Sequence, residues 1–235
     1  MPRNLLIAID GPAGSGKSST AKALAKRMGL PYIDTGAMYR SLTLKAMEEG
    51  ISFEDVPSLV DLSKKTDIRF EGIDPSAQRV FLDGKDVTEA IRRPELTKNV
   101  FYVAQESLIR REMVKKQQAL GKTAGGVMEG RDIGTMVFPD AHFKFYFEAN
   151  PEIRAKRRQK ELTEAGKATL LETVAQDMNR RDDTDFNRKE GPLRKAEDAH
   201  VIDTSSLTID ETIDKILAVI KLKSLQSGSL RSENR

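Results

Sequence analysis

Short apolar runs alternate along this chain with longer stretches that repeat their apolar residues at helical spacing, and the alternation predicts its elements. Residues 5–9, all apolar, have strand length and suit a strand buried on both faces. Residues 18–28, rich in Ala, Lys and Leu, predict the helix behind it. Residues 30–34 predict a second strand, Thr35-Gly36 a turn or cap, and 37–50 a helix stopped by Gly50. A short helix is predicted over 55–65, one long helix over 95–121, and a strand over 125–130 that enters a tight turn. Residues 142–148 form a weakly alternating, aromatic-rich strand. Two polar, charged helices follow over 151–165 and 168–181, then a last strand over 200–203. A closing amphipathic helix is predicted over 208–222, with Thr208 as cap and Glu211 three residues on.

One stretch breaks the rhythm. Residues 68–70 and 79–82 read as short strands, and Asp83-Gly84 is a hairpin signal leading to residues 85–87. The expected organisation is therefore an α/β fold, a parallel five-stranded sheet flanked by helices, with a small antiparallel β subdomain inserted at about residues 66–100. Residues 1–65 and 101–223 make the core domain, and the Ser-rich, polar residues 224–235 are expected to be disordered. Ligands of such a sheet bind at the carboxyl ends of its strands. That rule puts Asp34-Thr35, Gly130-Arg131-Asp132 and the loop after Glu148 on one rim with Lys17.

Composition narrows the chemistry. The 235 residues include no cysteine and two histidines, which excludes disulfides and thiolate metal sites and leaves little room for a zinc enzyme. No apolar run reaches the roughly 18 residues of a membrane span, and the N-terminal run is too short for a secretory signal. A cytoplasmic protein without membrane contact is expected. The net charge is only +3, but arginines cluster at 92–93, 110–111, 154 with 157–158, and 180–181. No nucleic-acid-binding motif accompanies them, whereas guanidinium forks also bind small phosphates.

Small phosphates are what the first motif calls for. Gly11-Pro12-Ala13-Gly14-Ser15-Gly16-Lys17-Ser18 fits G-x-x-x-x-G-K-[ST] between the predicted strand and helix, the context a phosphate-binding loop requires. Its glycines let backbone N–H groups close around an anion, and the helix N-terminus, reaching Ser19, adds partial positive charge. Lys17 can reach the β- and γ-phosphates of ATP, and the Ser18 hydroxyl can ligate Mg²⁺. The guanine-reading N-K-x-D and the D-x-x-G switch are both missing from the sequence, so a small-molecule kinase is favoured over a GTPase.

Three constellations refine this. In Asp34-Thr35-Gly36-Ala37-Met38-Tyr39-Arg40, Arg40 is placed to hold a phosphate, with Thr35 and Tyr39 near a base or sugar. In Glu129-Gly130-Arg131-Asp132-Ile133-Gly134-Thr135, a charged pair directly follows a buried strand, which is expensive unless it pairs or binds something. In Arg180-Arg181-Asp182-Asp183-Thr184-Asp185-Phe186-Asn187-Arg188, the mixed signs suit either a phosphate and ribose site or internal ion pairing.

Taken together and in order, G-P-A-G-S-G-K-S, D-T-G-A-M-Y-R, G-R-D-I-G-T with V-F-P-D-A, and R-D-D-x-D-x-N-R resemble the bacterial cytidylate kinase family over residues 5–222. The resemblance implies a nucleoside monophosphate kinase fold with a lid at about 151–168 and a monophosphate-binding part enlarged by the insert. It implies ATP- and Mg²⁺-dependent phosphorylation of CMP and dCMP by a monomer. Gly11 to Ser19 would hold ATP phosphates, with the metal at Ser18. Arg40, Arg131 and Arg188 would grip the CMP phosphate. Arg110 and Asp132 would read cytosine with Thr35 and Tyr39 nearby, and Arg181 and Asp185 would contact ribose. Arg154, Arg157 and Arg158 would come from the lid, and Lys17, Arg131, Arg157 and Arg158 would act on the transferring group. The chain departs from the family's usual pattern in three places: Phe101 near a usual cytosine-binding Ser, Ser107 near a usual Pro, and Glu129 for a usual Asp. Kinases of UMP, shikimate or dephospho-coenzyme A are the alternatives within the class. A nucleotide-binding regulatory module is the alternative outside it.

Overall fold

The computed structural model describes residues 4–72 and 74–232. Strand β1 (Leu6–Asp10) leads through the glycine loop into α1 (Lys17–Met28), and β2 (Tyr32–Asp34) runs directly into α2 (Thr35–Glu48). The Asp34 carboxylate caps α2 by accepting the Ala37 N–H at 2.9 Å, so the helix starts at Thr35 with no separate turn before it. Helix α3 (Val56–Lys65) precedes a three-stranded antiparallel sheet of β3 (Ile68–Glu71), β4 (Arg79–Leu82) and β5 (Lys85–Asp86). Its hairpin turns at Asp83 and Gly84, both at positive φ, as the Asp-Gly pair predicts.

The expected long helix over 95–121 is two helices, α4 (Pro94–Gln105) and α5 (Ser107–Ala124), parted by an extended Glu106. Helix α4 packs on α2 and α5 on α3, and the break lets Val103 and Ile109 both enter one apolar cluster. A straight helix could not serve both surfaces. That cluster also takes in Leu42, Leu59, Ile68, Val80, Leu82 and Leu96, so the insert shares a core with α2 and α3.

Strand β6 (Gly126–Gly130) ends in a short π-helical turn, Ile133–Val137, followed by β7 (Phe143–Glu148), α6 (Pro151–Glu164), α7 (Leu171–Asn187) and β8 (His200–Asp203). The main sheet is parallel throughout, in the order β2-β6-β1-β7-β8. One face buries Ile7, Ile9, Phe145 and Phe147 under α1 and α8 (Ile209–Ser232); the other buries Ala8 and Met128 under α5 and the π turn. Every residue of β1 and β6 is buried, Asp10 and Glu129 at their carboxyl ends included, as strands of a doubly covered parallel sheet require.

Helix α8 begins as foreseen: Thr208 Oγ1 accepts the Glu211 N–H at 3.2 Å, and Glu211 accepts the Thr208 N–H at 2.8 Å. It does not stop at Leu222. Residues 224–232, expected to be disordered, continue the helix, because extending a formed helix needs no new nucleus. Residues 233–235 lie outside the described residues.

Candidate active site

Gly11, Gly14 and Gly16 all have positive φ, and a Cβ on Gly11 would overlap the Phe147 carbonyl of β7. The loop thus wraps the end of β1 at a distance that only glycine permits. Lys17 is 4% exposed, and its Nζ donates to Pro12 O at 2.6 Å and Ser15 Oγ at 3.3 Å. Burial, and after it the Arg131 charge, push the Lys17 amine down to about 7. Ser18 Oγ donates to Glu129 Oε1 at 2.6 Å, and the Tyr32 hydroxyl reaches the same oxygen at 3.4 Å. Thr35 Oγ1 is spent on the Glu129 carbonyl at 2.8 Å, and Ser19 is exposed in the first turn of α1.

Beyond Glu129 runs a chain of opposite charges. Arg131 Nε donates to Asp185 Oδ2 at 2.8 Å, and Asp185 Oδ1 accepts from Arg188 at 3.1 Å. Arg188 lies 3.5 Å from Asp132 Oδ1, and Asp132 Oδ2 accepts from Arg110 Nη2 at 2.5 Å. Arg110 is 1% exposed and sits over the Tyr39 ring, 5.4 Å from its centroid. Burial pushes the Tyr39 hydroxyl up to about 12. Burial would also raise Asp185, but Arg131, Arg181 and Arg188 hold it below the usual carboxylate range. Three buried polar atoms of this group, Tyr39 OH, Arg110 Nε and Arg188 Nη2, have no hydrogen-bond partner. Buried groups are rarely left so, and a polar ligand could satisfy them.

The geometry follows from α7. Arg181 and Asp185 are spaced at i and i+4 on one face of α7, and Arg188 follows as its extended C-cap, from which it pairs back with Asp185. The charge run at 180–188 is therefore largely helical, and Asp185 pairs with arginines on both sides. Arg181 remains exposed at the rim. Arg40 pairs with Asp34 at 2.8 Å, and burial of that aspartate is outweighed by the arginine, so it stays ionised below the ordinary range.

Helices α6 and α7 hold the loop itself. Arg154 and Asp182 pair at 2.5 Å, and between them they take both backbone groups of Ala13: Arg154 donates to its carbonyl at 3.0 Å, and Asp182 accepts its N–H at 3.3 Å. Arg154 thus braces the glycine-rich loop at Ala13. Arg157 likewise donates to backbone, to the Thr204 carbonyl at 2.6 Å, and Thr204 Oγ1 in turn donates to Ser15 O at 3.0 Å. Arg158 is exposed and pairs with Glu161 at 2.9 Å.

Sequence reasoning assigned no role to Glu129, Asp10, Asp182 or Thr204. Asp10, the last residue of β1, accepts the N–H groups of Ile133 and Gly134, and burial pushes its carboxyl up to about 7 against those two bonds. Glu129 could have been found, since an acidic residue closing a buried strand beside a phosphate loop needs a partner. The other three act through backbone contacts at long sequence separation and leave no local pattern. Among the described residues no group of three or more His, Cys, Asp or Glu forms a metal cage, and no helix is long and apolar enough to cross a membrane.

The sequence profile of the family described as cytidylate kinase matches residues 7–222. A cytidylate kinase of Caldanaerobacter subterraneus subsp. tengcongensis is 47% identical over 92% of this chain and 94% of its own. A cytidylate kinase of Bacillus subtilis is 48% identical over 95% of this chain and all of its own. Among solved structures, an uncharacterized protein from Eubacterium ventriosum is similar in fold, with a TM-score of 0.52 at 15% identity over 93% of this chain and 98% of that one.

Proposed function

The chain belongs to the cytidylate kinase family, and on that premise we propose that it transfers the γ-phosphoryl group of ATP to CMP and dCMP with Mg²⁺. The observation that carries the reading is the Tyr39–Arg110–Asp132–Arg188–Asp185–Arg131 chain, which ends within electrostatic reach of Lys17 and holds unsatisfied buried donors. A pure nucleotide sensor has no need of such an acceptor clamp.

The loop N–H groups and Lys17 bind the donor phosphates. Ser18 and Glu129 offer two oxygens a hydrogen bond apart, which suits a hard cation that keeps waters and phosphates as its other ligands. When bound there, Mg²⁺ would neutralise charge developing on the phosphoryl oxygens. Arg40, Arg131 and Arg188 exchange their carboxylate partners for the CMP phosphate. An oxygen of that phosphate attacks the γ-phosphorus in line, the bond to the bridging β–γ oxygen breaks, and ADP leaves. The nucleophile is already an anion at neutral pH, so no general base is needed, and catalysis is positioning and charge neutralisation. Arg181 and Asp185 take the ribose. Arg158, exposed on α6, is the lid group that closure would bring in, and closure keeps water from the γ-phosphate. We assign residues 66–100 to the insert of the acceptor-binding part, about 151–168 to the lid and the rest through 223 to the core, in a monomer acting where ATP is met, the cytoplasm.

Cytosine presents an N4 amine that Asp132 can accept and ring acceptors that Arg110 can serve; uracil sets a carbonyl against the carboxylate. Mispaired buried polar groups support discrimination of up to about 10⁴-fold. Phe101, 40% exposed where a hydroxyl is usual, makes the preference here smaller. The test is a turnover panel with ATP and Mg²⁺ over CMP, dCMP, UMP, shikimate and dephospho-coenzyme A, with Asp132→Ala alongside. CMP and dCMP are expected to be used well and UMP poorly, with Asp132→Ala costing more for CMP. Equal kcat/KM for CMP and UMP refutes the cytosine reading; nucleotide binding without turnover of any acceptor refutes the kinase.

A further inference from the structure

Asp132 occupies the position before the first residue of the π turn Ile133–Val137, with φ −144° and ψ 24°. An aspartate there ordinarily folds its carboxylate back to accept the free N–H groups of the first turn. This one makes no such bond. Its two oxygens face outward instead, one accepting from Arg110 at 2.5 Å and the other 3.5 Å from Arg188. The vacated N–H groups belong to Asp10, which reaches across from the end of β1: Oδ1 accepts from Ile133 at 2.8 Å and Oδ2 from Gly134 at 2.7 Å. Asp10 is 4% exposed and Asp132 6%, so neither set of donors has water to fall back on. On its far side the Asp132 carboxylate abuts Gly191, whose positive φ and missing Cβ leave it room; a Cβ there would overlap Oδ2.

We propose that Asp10 is a positioning residue for acceptor selection: by capping the turn in place of Asp132, it leaves the Asp132 carboxylate free to face the base. The inference rests on the reading of Asp132 as the group that meets the cytosine amine. Two carboxylates compete for one turn, and only while Asp10 holds both N–H groups does the other remain available. If Asp10 is removed, two buried donors are left unsatisfied, and the carboxylate next to them in the chain is that of Asp132. The base-reading group would then become a helix cap.

The experiment compares Asp10→Ala, Asp10→Asn, Asp132→Ala and the double variant Asp10→Ala/Asp132→Ala. It reads kcat/KM for CMP and for UMP at saturating ATP, and the crystal structure of an Asp10 variant. Asp10→Ala is expected to shrink the CMP-over-UMP ratio by about tenfold or more, chiefly through KM for CMP, and adding Asp132→Ala is expected to shrink it little further. In the structure, the Asp132 carboxylate should turn onto the freed N–H of Gly134, the second residue of the turn. Damage confined to the phosphate loop would raise KM for ATP and lower both acceptors in proportion, leaving the ratio unmoved; that result overturns the proposal. So does an Asp132 carboxylate still on Arg110 in the variant. If Asp132→Ala alone leaves the ratio unchanged, the base reading fails, and the capping exchange stands or falls on the structure alone. Asp10→Asn keeps the size and one acceptor, and it carries the same readouts, with a smaller shift, if Asp10→Ala does not fold.

Discussion

Ser18 Oγ lies 2.6 Å from Glu129 Oε1, joining the first turn of α1 to the end of β6. Strand β6 pairs in register with β1, Ile9 opposite Glu129 and Asp10 opposite Gly130, and the loop after Asp10 carries the chain back to α1 and Ser18. In the ligand-free protein the serine hydroxyl donates to the carboxylate. Under the proposed function both oxygens would hold the divalent cation.

Glu129→Gln should therefore keep the hydrogen bond and the fold while weakening the metal. Substitution at a metal site typically lowers affinity or activity by about 10–100-fold. Turnover titrated against Mg²⁺ at fixed ATP should need more metal and reach a lower plateau. An unchanged Mg²⁺ titration would remove Glu129 from the site.

Arg154→Ala should destabilise the protein by about 3–5 kcal/mol, because it strands the Asp182 carboxylate in a buried pair whose side chains are 7% and 8% exposed. It should also raise KM for ATP, since Ala13 loses one of its two tethers. Arg154→Ala/Asp182→Ala, with no uncompensated charge, should be no less stable than the single variant. Urea unfolding of both decides this, and a stability loss within experimental error for the single variant would show that the pair braces nothing.

Nucleotide binding should take up protons near neutral pH. Lys17, held down to about 7 in the ligand-free site by burial and then by Arg131, is brought back towards its ordinary value by phosphates. Calorimetry of ATP binding at pH 7.5 in buffers of different ionisation enthalpy should show uptake of a fraction of a proton, absent in Lys17→Ala. Lys17→Ala should also reduce turnover by about 10²–10³-fold while remaining folded. Buffer-independent heats would refute the titration.

Asp10 gives stability a pH dependence of a definite sign. Its folded carboxyl titrates near 7, above its ordinary 3.8, so the folded state binds the extra proton between those values. Its contribution is full below about pH 3.8 and is lost as the pH rises through 7. Subtracting the stability curve of Asp10→Asn from that of the wild type should isolate this fall; a difference flat from pH 4 to 7 would contradict it.

Truncation after Lys223 should leave activity and thermal stability within a few degrees of the full chain. Leu222 and Leu225 are 62% and 63% exposed, so α8 buries neither of them. A larger drop in Tm would show that the extension docks.

Local chemistry by itself determined a great deal of this protein. Uninterrupted apolar runs specified buried parallel strands, the Asp-Gly pair its hairpin, the Thr208–Glu211 pair its capping box, and Gly11, Gly14 and Gly16 a tight loop at positive φ between β1 and α1. Each depends on residues within a few positions of one another, where spacing translates directly into geometry. Tertiary structure decided the rest. Nothing near Glu106 marks a helix break, because Ser107 stands at the first helical position where the family's usual Pro would have signalled a start. The break is imposed by two packing surfaces that only the folded chain brings together. The arginines that looked equivalent on paper were sorted in the same way: Arg154 and Arg157 became braces of the phosphate loop, while Arg110, Arg131 and Arg188 joined a buried chain of charge. Asp10 and Asp132 are 122 positions apart, and which of them caps the turn is settled by the pairing of β1 with β6. Partners at such separations are chosen by what the sheet places side by side, and no local pattern records that choice.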